Sequence, residues 1–133
     1  MIPNPRYLPR KDKIEIQSID NFKTSDDYYA SLFHECIHAT GHSSRLSRVG
    51  IKDKIQFGSE NYSKEELIAE CGASFLCNIS GIEKTIDNHS AYIQNWLQVL
   101  KNDNRMILIA SSQAQKACDY ILNNFITNHK EEE

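Results

Sequence analysis

Apolar positions Tyr28, Tyr29, Leu32, Phe33, Cys36 and Ile37 recur at three- and four-residue spacing. That is the period of a helix that buries one face. Ser25 stands where a cap belongs, Asp26 and Asp27 suit the positive end of the helix dipole, and Gly41 marks a stop. The polar stretch 42–62, with Gly50 and Gly58, predicts a long loop with one short turn. A second helix is predicted from Ser63, because Ser63-Lys64-Glu65-Glu66 matches a capping box with Glu66 at its N3 position. It runs through Leu67, Ile68, Phe75 and Leu76 and ends before Gly81. A third helix follows Asn88 through Ile93, Trp96, Leu97 and Leu100, and a fourth follows Asp103 to about Ile126. Upstream, prolines at 3, 5 and 9 exclude an early helix. Ile14-Glu15-Ile16 alternates as a half-buried strand, and Arg6 to Leu8 is expected to pair with it across Pro9 to Asp12. The expected fold is α+β and mostly helical: one domain over residues 1–133, with a small N-terminal β element and about four helices.

Composition narrows the class. With 40% hydrophobic and 25% charged residues, the chain is neither disordered nor membranous. Its apolar runs, such as Met106 to Ala110, are too short to span a bilayer. The net charge of −3 comes with no basic stripe beyond Arg6, Arg10, Lys11 and Lys13, so strong nucleic-acid binding by this chain alone is not expected. The acidic end Glu131-Glu132-Glu133 reads as a solvated terminus. The first residues lack the apolar core of a signal peptide, and Cys36, Cys71, Cys77 and Cys118 form no CxxC pair. Reduced, packed thiols in a cytoplasmic protein are the expectation.

The chemistry concentrates in His34-Glu35-Cys36-Ile37-His38, an HExxH pattern lying on the first predicted helix. Residues four apart share one helical face, so two imidazoles can converge on one tetrahedral ion at about 2.0–2.1 Å each. Glu35 is then placed beside the open position, where it can act as general base. Two surface histidines on a helix are the bland alternative, and a third ligand decides between them. The extended pattern HExxHxxGxxH matches Gly41 but meets Ser44 where the third histidine belongs. His42 falls two residues early, and the only internal methionine, Met106, lies in a predicted helix. The metzincin arrangement is therefore rejected.

The gluzincin arrangement takes a glutamate from a second helix, and Glu66-Leu67-Ile68-Ala69-Glu70 supplies two carboxylates on one face. Glu66 is expected to complete a His₂Glu site with one open position, which favours Zn²⁺. Glu70 is then expected to hydrogen-bond the second nitrogen of a ligand histidine. If Glu66 serves the capping box instead, Glu70 becomes the ligand. Glu65 is read as solvated and His42 as an exposed loop residue. His89 and Tyr92, near a helix start, are candidate transition-state stabilisers, with capping or packing the commoner role for such residues. One of Tyr28 and Tyr29 is expected in the core, and Trp96 with it.

Four blocks in order resemble a known family. They are Tyr28 to Leu46, Glu65-Glu66-Leu67-Ile68-Ala69-Glu70, Asn88 to Trp96, and Ala114 to Leu122. They look like the zincin-like domain of ArdC-type antirestriction proteins and TraC-type primases of conjugative plasmids. The resemblance runs from about Tyr7 to Leu122. It implies a zincin-like metallopeptidase fold carried on mobile genetic elements. In ArdC-type proteins this domain follows an N-terminal single-stranded-DNA-binding domain that is not present in this sequence. The chain is thus expected to be a C-terminal piece of a longer protein or a stand-alone form. The leading expectation is a zinc-dependent hydrolase acting on a protein or peptide, with Glu35 as base and the strand at Ile14 to Ile16 offering an edge to substrate. The alternative is a non-catalytic zinc-fold module that binds a protein in antirestriction.

Overall fold

The computed structural model describes residues 4–52 and 59–130, without the side chains of 52 and 124–130. Strands β1 (Arg6–Leu8) and β2 (Lys13–Glu15) come first, then a 3₁₀ turn at Ile19–Asn21. Helices follow: α1 (Ser25–Thr40), α2 (Val49–Lys52), α3 (Glu60–Ile79), α4 (Ile86–Val99) and α5 (Asn104–Lys130). The α+β, mostly helical expectation holds, with five α-helices among the described residues rather than four. The fifth is the single turn α2, which falls where one short turn was expected within the long loop. Gly58 and the acidic terminus at 131–133 lie outside the described residues.

The hairpin forms as expected, antiparallel with Tyr7 opposite Ile14. Its turn is fastened to the loop after α1: Arg45 pairs with Asp12, and the Tyr7 hydroxyl donates to Asp12 Oδ1 at 2.6 Å. Thr24, not Ser25, caps α1, its hydroxyl accepting from the Asp27 N–H at 3.1 Å.

The start of α3 differs more. Ser59 is the cap, accepting from the Tyr62 N–H at 3.2 Å, so the helix begins a full turn before Ser63. Ser63 is fully buried inside the helix, and its hydroxyl has no partner among the described residues. No capping box therefore forms, and Glu66 is free of that role. The helix ends as expected: Gly81 takes φ +78°, and the Ile82 N–H reaches back to the Cys77 carbonyl at 2.8 Å.

Helix α3 is the centre of the molecule, packed against α1, α4 and α5. Its Leu67, Ala69 and Ala73 are fully buried, as are Ala114 and Ala117 on α5. Small residues let the helices approach closely. At Gly72 the approach to α1 is very close: a Cβ there would lie 2.7 Å from Ile37 Cδ1 and Cγ1. That contact sets the α1–α3 spacing, and with it the distance between the histidines of α1 and the glutamates of α3. Trp96 is only partly buried, edge-on to Tyr62. Tyr28 is half-buried against Phe22, and Tyr29 is exposed. All four cysteines are free, and Cys71, Cys77 and Cys118 are buried.

Candidate metal centre

His34 and His38 stand one turn apart on α1 and face α3. His34 Nε2 lies 3.1 Å from Glu66 Oε2, and His38 Nε2 lies 3.1 Å from Glu66 Oε1. The two Nε2 atoms are 3.2 Å apart. One donor atom from each of His34, His38 and Glu66 falls within a span of 4.8 Å. Two imidazole nitrogens and a carboxylate converging this closely are a set suited to a divalent first-row cation.

The outward nitrogens strengthen that fit. His34 Nδ1 lies 2.9 Å from Glu70 Oε1, and His38 Nδ1 lies 2.8 Å from Glu65 Oε2. A carboxylate only accepts, so each Nδ1 carries the hydrogen, which leaves each Nε2 lone pair for a cation. Burial alone would lower both imidazoles, but hydrogen bonds donated to Glu66 and Glu70 push His34 up to about 10. Glu65 and Glu66 push His38 up to about 9. Burial works to raise Glu65, Glu66 and Glu70, and their histidine partners reverse it, so all three are lowered.

Glu35 is 8% exposed, and burial raises its carboxyl pKa, opposed by the charges of His38 and His34. The backbone N–H of Tyr7, on β1, also bonds to it. Strand β1, paired with β2, thus reaches Glu35. A cleft of about 300 Å³ opens beside His34, Glu35 and Glu70 and is bounded by Asp27, His89 and Tyr92. His89 is buried, with Nδ1 3.3 Å from Glu70 Oε2, so Glu70 bridges His89 and His34. The Cys77 sulfur and Glu70 push His89 up to about 9. Tyr92 is exposed at the cleft rim. His42 is held by Ser44 and stands outside the donor cluster.

Two residues are more important than their place in the sequence suggested. Glu65, read as solvated, is 4% exposed and lies against His38. Arg48, not singled out, is buried against Glu65. A signal for Glu65 was present: each ligand histidine needs a partner for its second nitrogen, and Glu70 can serve only one ring.

The chain matches the family model described as zincin-like metallopeptidase over residues 3–113. It belongs to that family. This zincin-like domain is 39% identical over 117 residues to a DNA primase TraC of Escherichia coli, covering 87% of the chain and 11% of the primase. It is 36% identical over 118 residues to the uncharacterized protein y4eC of Sinorhizobium fredii (strain NBRC 101917 / NGR234), covering 86% of the chain and 37% of that protein. Among solved structures it resembles the Mn(II)-bound antirestriction protein ArdC from plasmid R388, with TM-score 0.72 and 41% identity. That match covers 92% of the chain and 44% of the ArdC chain. The metal-free ArdC structure gives a TM-score of 0.68 and 42% identity, covering 92% of the chain and 43% of ArdC. The domain therefore spans less than half the length of these relatives.

Proposed function

We propose that this domain is a zinc metallopeptidase in which His34, His38 and Glu66 hold the metal and Glu35 is the general base. The observation that carries the proposal is the convergence of those three donors beside a buried Glu35 that borders an open cleft. When bound, the ion would polarise the scissile carbonyl and make the attacking water more acidic. Glu35 takes the proton from that water and returns it to the leaving amine. Its raised pKa suits both halves of that transfer, because a base must also serve as an acid. Glu70 and Glu65 hold the two rings by their Nδ1 hydrogens, and Tyr92 at the rim would donate to the developing oxyanion. His89 acts through Glu70. The substrate is a protein or peptide laid along the cleft beside β1.

Similarity to ArdC and TraC supports a role carried on mobile elements, with antirestriction as its setting. The R388 relative holds Mn(II), so the metal of this domain is itself a point to measure. The test is metal analysis of the purified chain with a peptide-release screen, comparing wild type with Glu35→Gln. Retained metal and lost hydrolysis in the variant is the expected result. Equal hydrolysis in both proteins removes Glu35 from the mechanism. Stoichiometric metal with no hydrolysis by the wild type would turn the reading to a metal-holding, protein-binding module.

A further inference from the structure

The two ligand histidines are held differently. His34 is backed by Glu70, whose other oxygen faces His89 at the cleft. His38 is backed by Glu65, away from the cleft, and Glu65 is itself clamped. Arg48 Nε donates to Glu65 Oε1 at 2.8 Å, and Nη2 donates to Oε2 at 3.0 Å. This is the two-pronged guanidinium–carboxylate pair, which fixes a carboxylate in direction as well as in place. Glu65 Oε2 is also the atom that receives His38 Nδ1. The rest of the guanidinium grips the end of α1: Nη1 donates to Thr40 Oγ1 at 2.8 Å and Nη2 to the Ile37 carbonyl at 2.6 Å.

The backbone makes room for this pair at two points. A Cβ on Gly41 would lie 2.9 Å from both Arg48 Cζ and Nη2. A Cβ on Gly50 would lie 2.7 Å from Glu65 Cβ and 3.2 Å from its Oε1. Gly41 has φ −81°, a conformation open to any residue, so space and not backbone freedom calls for glycine there. Ser47, just before Arg48, sits at φ +56°, which a non-glycine residue adopts at a cost. The loop after α1 therefore takes two close approaches and one strained residue around a buried charge pair. Burying such a pair gains little stability over apolar packing, so a role in specifying geometry is the better account of it.

We propose that Arg48 is a positioning residue of the metal centre: it aims the Glu65 carboxylate at His38 Nδ1, and Gly41 and Gly50 leave the space this requires. The inference rests on the metal-centre reading. It goes further by assigning roles to Arg48, Gly41 and Gly50, three residues outside the donor set.

The experiment measures Zn²⁺ and Mn²⁺ affinity by chelator competition for wild type, Glu65→Gln, Arg48→Lys and the double variant. Apo melting temperatures are recorded alongside. Glu65→Gln is expected to weaken Zn²⁺ binding about 10–100-fold, the range for losing a carboxylate behind a ligand histidine. Arg48→Lys keeps the charge but not the fork, and is expected to weaken binding about tenfold. In the Glu65→Gln background the same Arg48 change is expected to cost less than about twofold, because its route to the metal is already cut. In the Zn²⁺-loaded wild type, the His38 Nδ1 proton should give a downfield resonance that moves in both single variants. Purely structural brackets would lower the apo melting temperature and leave affinity and resonance unchanged, and that result overturns the proposal, as does full additivity in the double variant. Should Arg48→Lys fail to fold, Gly50→Ala decides. It removes no polar group, and weakened Zn²⁺ binding supports the proposal where wild-type affinity overturns it. A wild type that takes up neither ion stoichiometrically fails before any variant is read, and removes the metal-centre reading itself.

Discussion

Gly72 offers a sharp test of what sets the distance between α1 and α3. A Cβ at this position would sit 2.7 Å from Ile37 Cδ1 and Cγ1, and 3.1 Å from Cγ2. Ordinary carbon contacts lie at about 3.5–4.0 Å, so the crossing must open by roughly 1 Å or Ile37 must leave its rotamer. Ile37 is 0% exposed, so any new rotamer must be accommodated by its packed neighbours. Overpacking of this kind costs about 1–3 kcal/mol, and alanine's better helix propensity returns about 1 kcal/mol. The net expectation for Gly72→Ala is a loss of about 0–2 kcal/mol. Ile37→Ala alone should cost about 2–5 kcal/mol by leaving a cavity. With Ile37 truncated the clash is gone and only the propensity gain remains. In that background Gly72→Ala should stabilise, by up to about 1 kcal/mol. The sign therefore reverses between backgrounds, which a simple propensity effect cannot produce. Urea unfolding of the four proteins, with chelator present so that metal binding adds nothing, reads the effect as a shift in midpoint at constant slope. Stabilisation by Gly72→Ala in the wild-type background would refute the reasoning. So would an equal change in both.

Two further outcomes follow from the site and the helix start. Glu66→Gln should weaken Zn²⁺ binding severely by removing the anionic donor nearest both Nε2 atoms, while Glu70→Gln should cost about 10–100-fold. Near-wild-type affinity in both, by titration of folded protein, would place the third ligand elsewhere. Ser59→Ala should cost about 1 kcal/mol in thermal or urea unfolding, because it deletes the α3 cap. Ser63→Ala should be neutral or stabilising, since it removes a buried hydroxyl that has no partner among the described residues; a loss there equal to that of Ser59→Ala would restore the capping box.

Much of this protein was legible from short-range pattern. Helix α1 follows from the three- and four-residue recurrence of Tyr28 to Ile37, and its arrest near Gly41 from one residue. The hairpin follows from prolines and a single alternation, and the four family blocks pointed to the zincin-like fold that the comparisons show. These signals are readable because a helix turn or a two-strand register is decided among residues close in the chain. What the tertiary structure decided depends on partners far apart. Ser59 and Ser63 are both competent caps, and the choice between them falls to burial, since packing α3 against its neighbours takes Ser63 into the interior. Glu65 looked like any charged residue early in a helix; only the α1–α3 crossing shows that it meets His38, 27 positions away, and Arg48, 17 positions away. Gly41 read as a helix stop, Gly50 as a loop residue, and Gly72 was not singled out, yet each marks a place where a side chain from elsewhere presses on the backbone. The chain's local preferences specify which elements form. The distance between two of them, which determines whether His34, His38 and Glu66 meet, is set by the volume of one side chain against one missing Cβ.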